Sequence, residues 1–159
     1  MAGESTHRYA GMGRDQVLRM TASMRQNFAN VGLPYAFTDQ GLVANTMDAH
    51  RLITAATKQG KEDAVVEGLF AAYFENEESP GDPAMLQRVA EAAGVEGAEA
   101  LLAGDDLKQE VLDEAASLRM PQVNGVPHFI LNDTVHVSGA QDADYFLHMF
   151  ARLQRGSNM

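Results

Sequence analysis

Few residues in this chain could do chemistry, and one absence narrows them further. The 159 residues include no cysteine, which excludes a disulfide framework, a thiolate nucleophile and a thiolate metal site. Imidazoles, amides and backbone groups remain. His128 and His136 stand close together in "VPHFILNDTVHVSG", and an imidazole can bind a metal or titrate near neutral pH. Between them Asn132-Asp133 reads as a two-residue hairpin turn, which sets Phe129 opposite His136. That register puts the two imidazoles on opposite sides of a sheet, so no metal pair is expected. Asn45 and His50 lie in "NTMDAHRL". Asn45 suits a helix cap, and His50, one and a half turns later, is expected to face the core and hydrogen-bond there. Gln141 follows Gly139-Ala140 where a last helix opens, and a helix start offers free N–H groups to a carboxylate. Val126-Pro127 heads the first hairpin strand, where a trans proline at a sheet edge is the ordinary reading.

The elements that must hold these residues are mostly helical. Val17, Leu18, Met20, Thr21, Met24 and Phe28 recur at helical spacing from about Asp15 to Asn30, and Gly32-Leu33-Pro34 ends the pattern. "YAFTDQGLVA" looks extended. A second helix opens at Asn45 and closes at Gly60. A third, about Glu62 to Phe74, should bury Val65, Val66, Leu69, Phe70 and Phe74. The acidic loop "ENEESPGDP" follows, then two short helices, then a longer one capped by Asp105 and stopped before Pro121. Only after that does the period change. Phe129, Ile130 and Leu131 are successive apolar residues in a strand, so both of its faces should be covered. Tyr145, Phe146, Met149, Phe150 and Leu153 share one face of a closing helix.

Composition sets the outer bounds. An apolar fraction of 45% suits a globular chain, and a net charge of −10 argues against nucleic acid or an anionic membrane as partner. No apolar run approaches the ~20 residues a membrane helix needs. "MAGESTHRYAGMGRDQ" lacks the apolar core of a signal peptide, so a cytoplasmic location is expected.

In order along the chain, "NTMDAHRL", "AYF", "GVPHFILND" and "VSGAQDADYF" closely resemble the DsbA-like thioredoxin family, specifically its FrnE-type branch. That branch is similar in turn to 2-hydroxychromene-2-carboxylate isomerases and kappa-class glutathione transferases. The likeness runs from about Tyr9 to Leu153. It implies a mostly α fold, a helical insert over residues 1–120 followed by a C-terminal β-β-α half of a thioredoxin-like fold over 121–159. It also implies that the family's opening βαβ unit, bearing Cys-x-x-Cys, is missing here. By the same resemblance Val126-Pro127 is a cis-proline step, whose preceding backbone groups pair with a peptide or small thiol. His128 would lie near that site, Asn45 and His50 would border the cleft, and Gln141 would mark the turn that relatives use for the acidic end of glutathione. No resident cofactor is implied, with glutathione a candidate ligand.

A hairpin without its sheet is costly. Five apolar side chains, Phe129, Ile130, Leu131, Val135 and Val137, would each forfeit up to ~1.5–3 kcal/mol of burial. Together that is roughly 8–15 kcal/mol, which rivals the ~5–15 kcal/mol net stability of a domain. The expected partner is therefore a second copy or another protein completing the sheet, or else "YAFTDQ". The functions that follow are a non-redox binding member of the family or a truncated oxidoreductase. The alternatives are a glutathione-dependent isomerase or transferase and a dimeric interaction module. Without a thiolate the chain cannot itself exchange disulfides.

Overall fold

The structure, a computed structural model, describes residues 6–7, 13–36, 42–118, 123 and 125–156. Its elements run β1 (Thr6–His7), α1 (Arg14–Asn30), β2 (Leu42–Val43), α2 (Met47–Thr57), α3 (Glu62–Phe70), a π-helical turn (Ala71–Glu75), α4 (Pro83–Ala93), α5 (Ala98–Ala103), α6 (Lys108–Ser117), β3 (His128–Leu131), β4 (Val135–Ser138) and α7 (Ala143–Gly156). The chain divides into two compact units, Met1–Asp113 and Glu114–Met159. The fold is mostly helical, as the apolar periods imply. The Pro121 stop and most of the extended stretch before β2 lie outside the described residues.

In the first unit a single core joins α2 to α5. Ala49, Leu52 and Ala56 of α2 meet Val65 and Leu69 of α3, Ala72 of the π turn, Met85, Leu86, Val89 and Ala90 of α4, then Val95 and Ala98. Within α2 and α3 these residues recur every three or four positions, the stripe a helix must bury. Leu52, Met85, Leu86 and Val65 are the largest side chains sealed completely. At ~1.5–3 kcal/mol each, their burial is a main source of the unit's stability. The helix ends are written locally. The Asp82 carboxylate accepts from the Ala84 amide at 3.0 Å with Pro83 in the first turn. Gly94, at φ 69°, ends α4 in the left-handed conformation that glycine adopts without strain. Helices α3 and α4 approach closely at Gly68, where an added Cβ would meet Val89 Cγ1 at 2.9 Å.

Two helical expectations are revised. The third helix does not run on as an α-helix to Phe74 but widens into the π turn at Ala71, and Phe70 is left 54% exposed instead of buried. Helix α6 starts at Lys108, because Leu107 takes a left-handed φ of 64° and stops the helix from beginning nearer Asp105. The Asp105 side chain instead meets the Lys108 ammonium at 3.3 Å, and Asp105 contributes its carbonyl to the Lys108 amide.

The second unit holds the β3–β4 hairpin and α7. Its register is His128↔Ser138, Phe129↔Val137, Ile130↔His136 and Leu131↔Val135. Asn132 and Asp133 both adopt positive φ, 48° and 58°, and the Thr134 amide donates to the Leu131 carbonyl. Thr134 is thus an extra residue between turn and ladder, and the connection is three residues long rather than two. One residue of offset exchanges the faces of every side chain. Phe129 therefore pairs with Val137, not His136, and its ring packs edge-on to Phe146 of α7 at 4.9 Å. Val137 is buried. Ile130 falls on the other face, 40% exposed, so the expectation that both faces of β3 are covered does not hold within the described residues. On α7, Phe146, Met149 and Leu153 are half-buried while Tyr145 and Phe150 are exposed.

Candidate functional site

The revised register brings the two hairpin histidines together. His128 and Ile130 share a face with His136 and Ser138, and His128 Nε2 lies 2.9 Å from His136 Nδ1. The expectation that the imidazoles lie on opposite sides of the sheet is corrected, and the cause is the extra turn residue Thr134. Only one hydrogen fits on the line between the two nitrogens. The other ring nitrogen of His128, Nδ1, is buried without a hydrogen-bond partner among the described residues. A buried N–H left unpaired is rarer in proteins than an acceptor left short of a donor. We therefore assign the shared proton to His128 Nε2, which donates to His136 Nδ1, and leave His128 Nδ1 as a bare acceptor. No group of three or more metal-ligating side chains gathers among the described residues.

The loop before β3 supplies the remaining residues. The Val126–Pro127 peptide is cis, and the Val126 side chain is 91% exposed. The Gly139 amide donates to the Pro127 carbonyl at 2.9 Å, which ties this loop to the turn leading into α7. Gly139 sits at φ 81°, a region that suits glycine. Gln141 Nε2 donates to the Ser138 carbonyl at 3.3 Å, so its amide is engaged with its own turn. Asp142, not Gln141, caps α7, its carboxylate accepting from the Tyr145 amide at 2.8 Å.

Backbone geometry at β3 has a direct chemical consequence. In an antiparallel ladder, hydrogen-bonded and non-hydrogen-bonded pairs alternate. The bond between Gly139 and Pro127 fixes the phase, so the bonded pairs that follow are Phe129 with Val137 and Leu131 with Val135. The N–H and C=O groups of His128 and Ile130 then point away from β4. Among the described residues this sheet has two strands, and those groups form a free edge.

Asn45 and His50 belong to the first unit. Asn45 Oδ1 accepts from the Met47 amide at 3.0 Å, a local closure of the α2 entrance. His50 is exposed on α2, contrary to the expectation that it faces the core. Its neighbour is the buried one. Arg51, 2% exposed, donates through Nη2 to the carbonyls of Leu101 (2.5 Å) and Gly104 (2.7 Å), through Nε to that of Asp106 (2.6 Å), and through Nη1 to Asp48 (2.7 Å). These carbonyls lie at the negative end of α5, and a guanidinium fork satisfies them as no smaller group could. Sequence reasoning missed this residue. Its only sequence signal was the Asp48–Arg51 spacing; its carbonyl partners lie some fifty residues away.

Comparison with known proteins follows the same outline. The family model described as DSBA-like thioredoxin domain matches residues 6–151. Among solved structures, a probable DsbA oxidoreductase from Streptomyces coelicolor superposes with a TM-score of 0.80 at 28% identity, over 94% of this chain and 68% of that one. No curated protein matches significantly. With a family match across most of its length, the chain belongs to the DsbA-like thioredoxin domain family.

Proposed function

We propose that this chain is a binding member of its family that works without redox turnover, receiving an extended peptide segment along the free edge of β3. The observation that carries the reading is the outward backbone of His128 and Ile130, headed by the exposed Val126. Strand addition uses such an edge: main-chain hydrogen bonds supply affinity, and neighbouring side chains read the sequence. Val126, Pro127, His128 and Gln141 are the residues of this site, and Asn45 and His50 are assigned no part in it. The absence of cysteine removes disulfide exchange from this chain's own chemistry. Within the family we place it in the FrnE-type branch.

The test is a nuclear magnetic resonance titration of the full chain with reduced glutathione and a panel of extended hexapeptides, following the amides of residues 126–131. Strand addition shifts the His128 and Ile130 amides most. Shifts confined to the turn at Gly139–Gln141, seen with glutathione alone, would instead favour the isomerase or transferase kinship.

A second reading uses the same edge for a second copy of this chain. The exposed Ile130 on the outer face favours it, since an uncovered strand with an apolar side chain invites pairing. Light scattering on a sizing column over a hundredfold concentration range decides. A dimer supports the homotypic reading, and a monomer throughout eliminates it.

A further inference from the structure

We propose that the first unit carries a binding site for a small organic cation, an ammonium group on a short apolar body, between the end of α1 and the α3–π segment. A cavity of about 250 Å³ opens there. Phe28, Leu33 and Pro34 form one wall, and Phe70, Ala71 and Phe74 form the other. Glu67 and Glu75, both exposed, complete the lining. The volume lies below the ~300–1,000 Å³ of pockets for drug-sized ligands, so the occupant is small.

Two features select its charge, and a third offers it apolar cover. The aromatic rings are contiguous, with Phe28 and Phe74 centroids 5.2 Å apart and Phe70 and Phe74 5.9 Å apart, tilted at 44° and 57°. Adjoining rings of differing tilt make the kind of corner in which an ammonium meets more than one π-face. Neither Glu67 nor Glu75 is ion-paired among the described residues, so the cavity holds two acidic side chains with no cation to balance them. An anion would be repelled there and a neutral ligand would gain nothing from them. Phe70 is the third feature. It is 54% exposed at this opening, apolar surface that a ligand would cover. It directly precedes the π turn, an irregularity that often accompanies function. The site lies wholly in the first unit and is independent of strand addition at β3.

The test uses the full chain and three probes of similar size: 2-phenylethylammonium, the neutral 2-phenylethanol and the anionic phenylacetate, each titrated by nuclear magnetic resonance. The ammonium should bind about five- to thirtyfold more tightly than the alcohol, the anion more weakly than either, and the shifts should centre on Phe28, Phe70 and Phe74. The double variant Glu67→Gln/Glu75→Gln changes only exposed side chains. It should narrow the gap between the ammonium and the alcohol to the part that the aromatic rings supply. Phe70→Ala should weaken the ammonium at least about threefold. Equal binding of ammonium and alcohol, an unchanged preference in the double variant, or no shifts in the cavity at millimolar probe would each overturn the proposal.

Discussion

Replacing Arg51 with methionine tests whether a buried guanidinium holds α5 and the loop after it against α2. The substitution keeps much of the side chain's length and removes all five donors. The Leu101 carbonyl is buried where Arg51 reaches it, and the Gly104 and Asp106 carbonyls are half-buried. One buried acceptor left unpaired costs about 1–3 kcal/mol. The two half-buried carbonyls can recover water, so each adds less. The methionine itself returns some apolar burial, and the desolvation that the guanidinium suffered is relieved. The net loss should be about 3 kcal/mol. For a chain of this length that lowers Tm by roughly 6–12 °C. Urea unfolding followed by circular dichroism at the helix band should show a lower midpoint with an unchanged slope. The companion variant Asp48→Asn locates the energy. Asp48 is 45% exposed, so water reaches its carboxylate and limits what this half-buried pair adds; Asp48→Asn should cost less than Arg51→Met. The reasoning fails if Arg51→Met is as stable as the parent, or if Asp48→Asn costs as much as Arg51→Met.

Other outcomes follow from the same coordinates. Gly68→Val should destabilise by about 1–3 kcal/mol, since its Cβ would press on Val89 Cγ1; adding Val89→Ala should recover part of the midpoint in the same unfolding assay. Leu86→Ala should cost about 2–5 kcal/mol, because Leu86 is fully sealed in the core. Asp133→Gly should leave the hairpin intact or slightly stabilise it, whereas Asp133→Val should loosen it, since Asp133 holds a left-handed φ of 58°; amide exchange in β3 and β4 reports the difference. His136→Ala removes the partner of His128 Nε2, and the ring nitrogen resonances of His128 should move while those of His50 stay fixed.

Most of the helical unit could be read from spacing and punctuation. The stripe Ala49, Leu52, Ala56 announces α2, and Asp82-Pro83 with Gly94 brackets α4, because caps and apolar periods are local properties of the chain. The revised features depend on contacts or backbone choices that no local pattern encodes. The two strands and the Asn132-Asp133 centre of the turn are legible in the sequence, but the turn's length and the register hinge on whether Thr134 joins the ladder or the turn. That one residue moved His128 and His136 onto the same face. The π turn at Ala71 continues a stripe that reads as ordinary α-helix, so the spacing alone places Phe70 in the core. Arg51 stands beside the buried stripe of α2, and only tertiary folding brings the α5 carbonyls to it. Of the candidate site, the loop at Val126-Pro127 was visible through its resemblance to the family. The free backbone edge of His128 and Ile130 needed the observed register.

The central claim is that β3 accepts an extended segment through its outer edge, and Ile130→Pro tests it most directly. The Ile130 amide points away from β4, so proline there removes a donor that the hairpin does not use. The measurement is the affinity of the tightest hexapeptide from the panel for the parent chain and for Ile130→Pro, with the Phe129 and Val137 amides followed as a check on the hairpin. Loss of at least about tenfold in affinity with those amides still protected is the predicted result. Equal affinity in the two proteins would contradict strand addition.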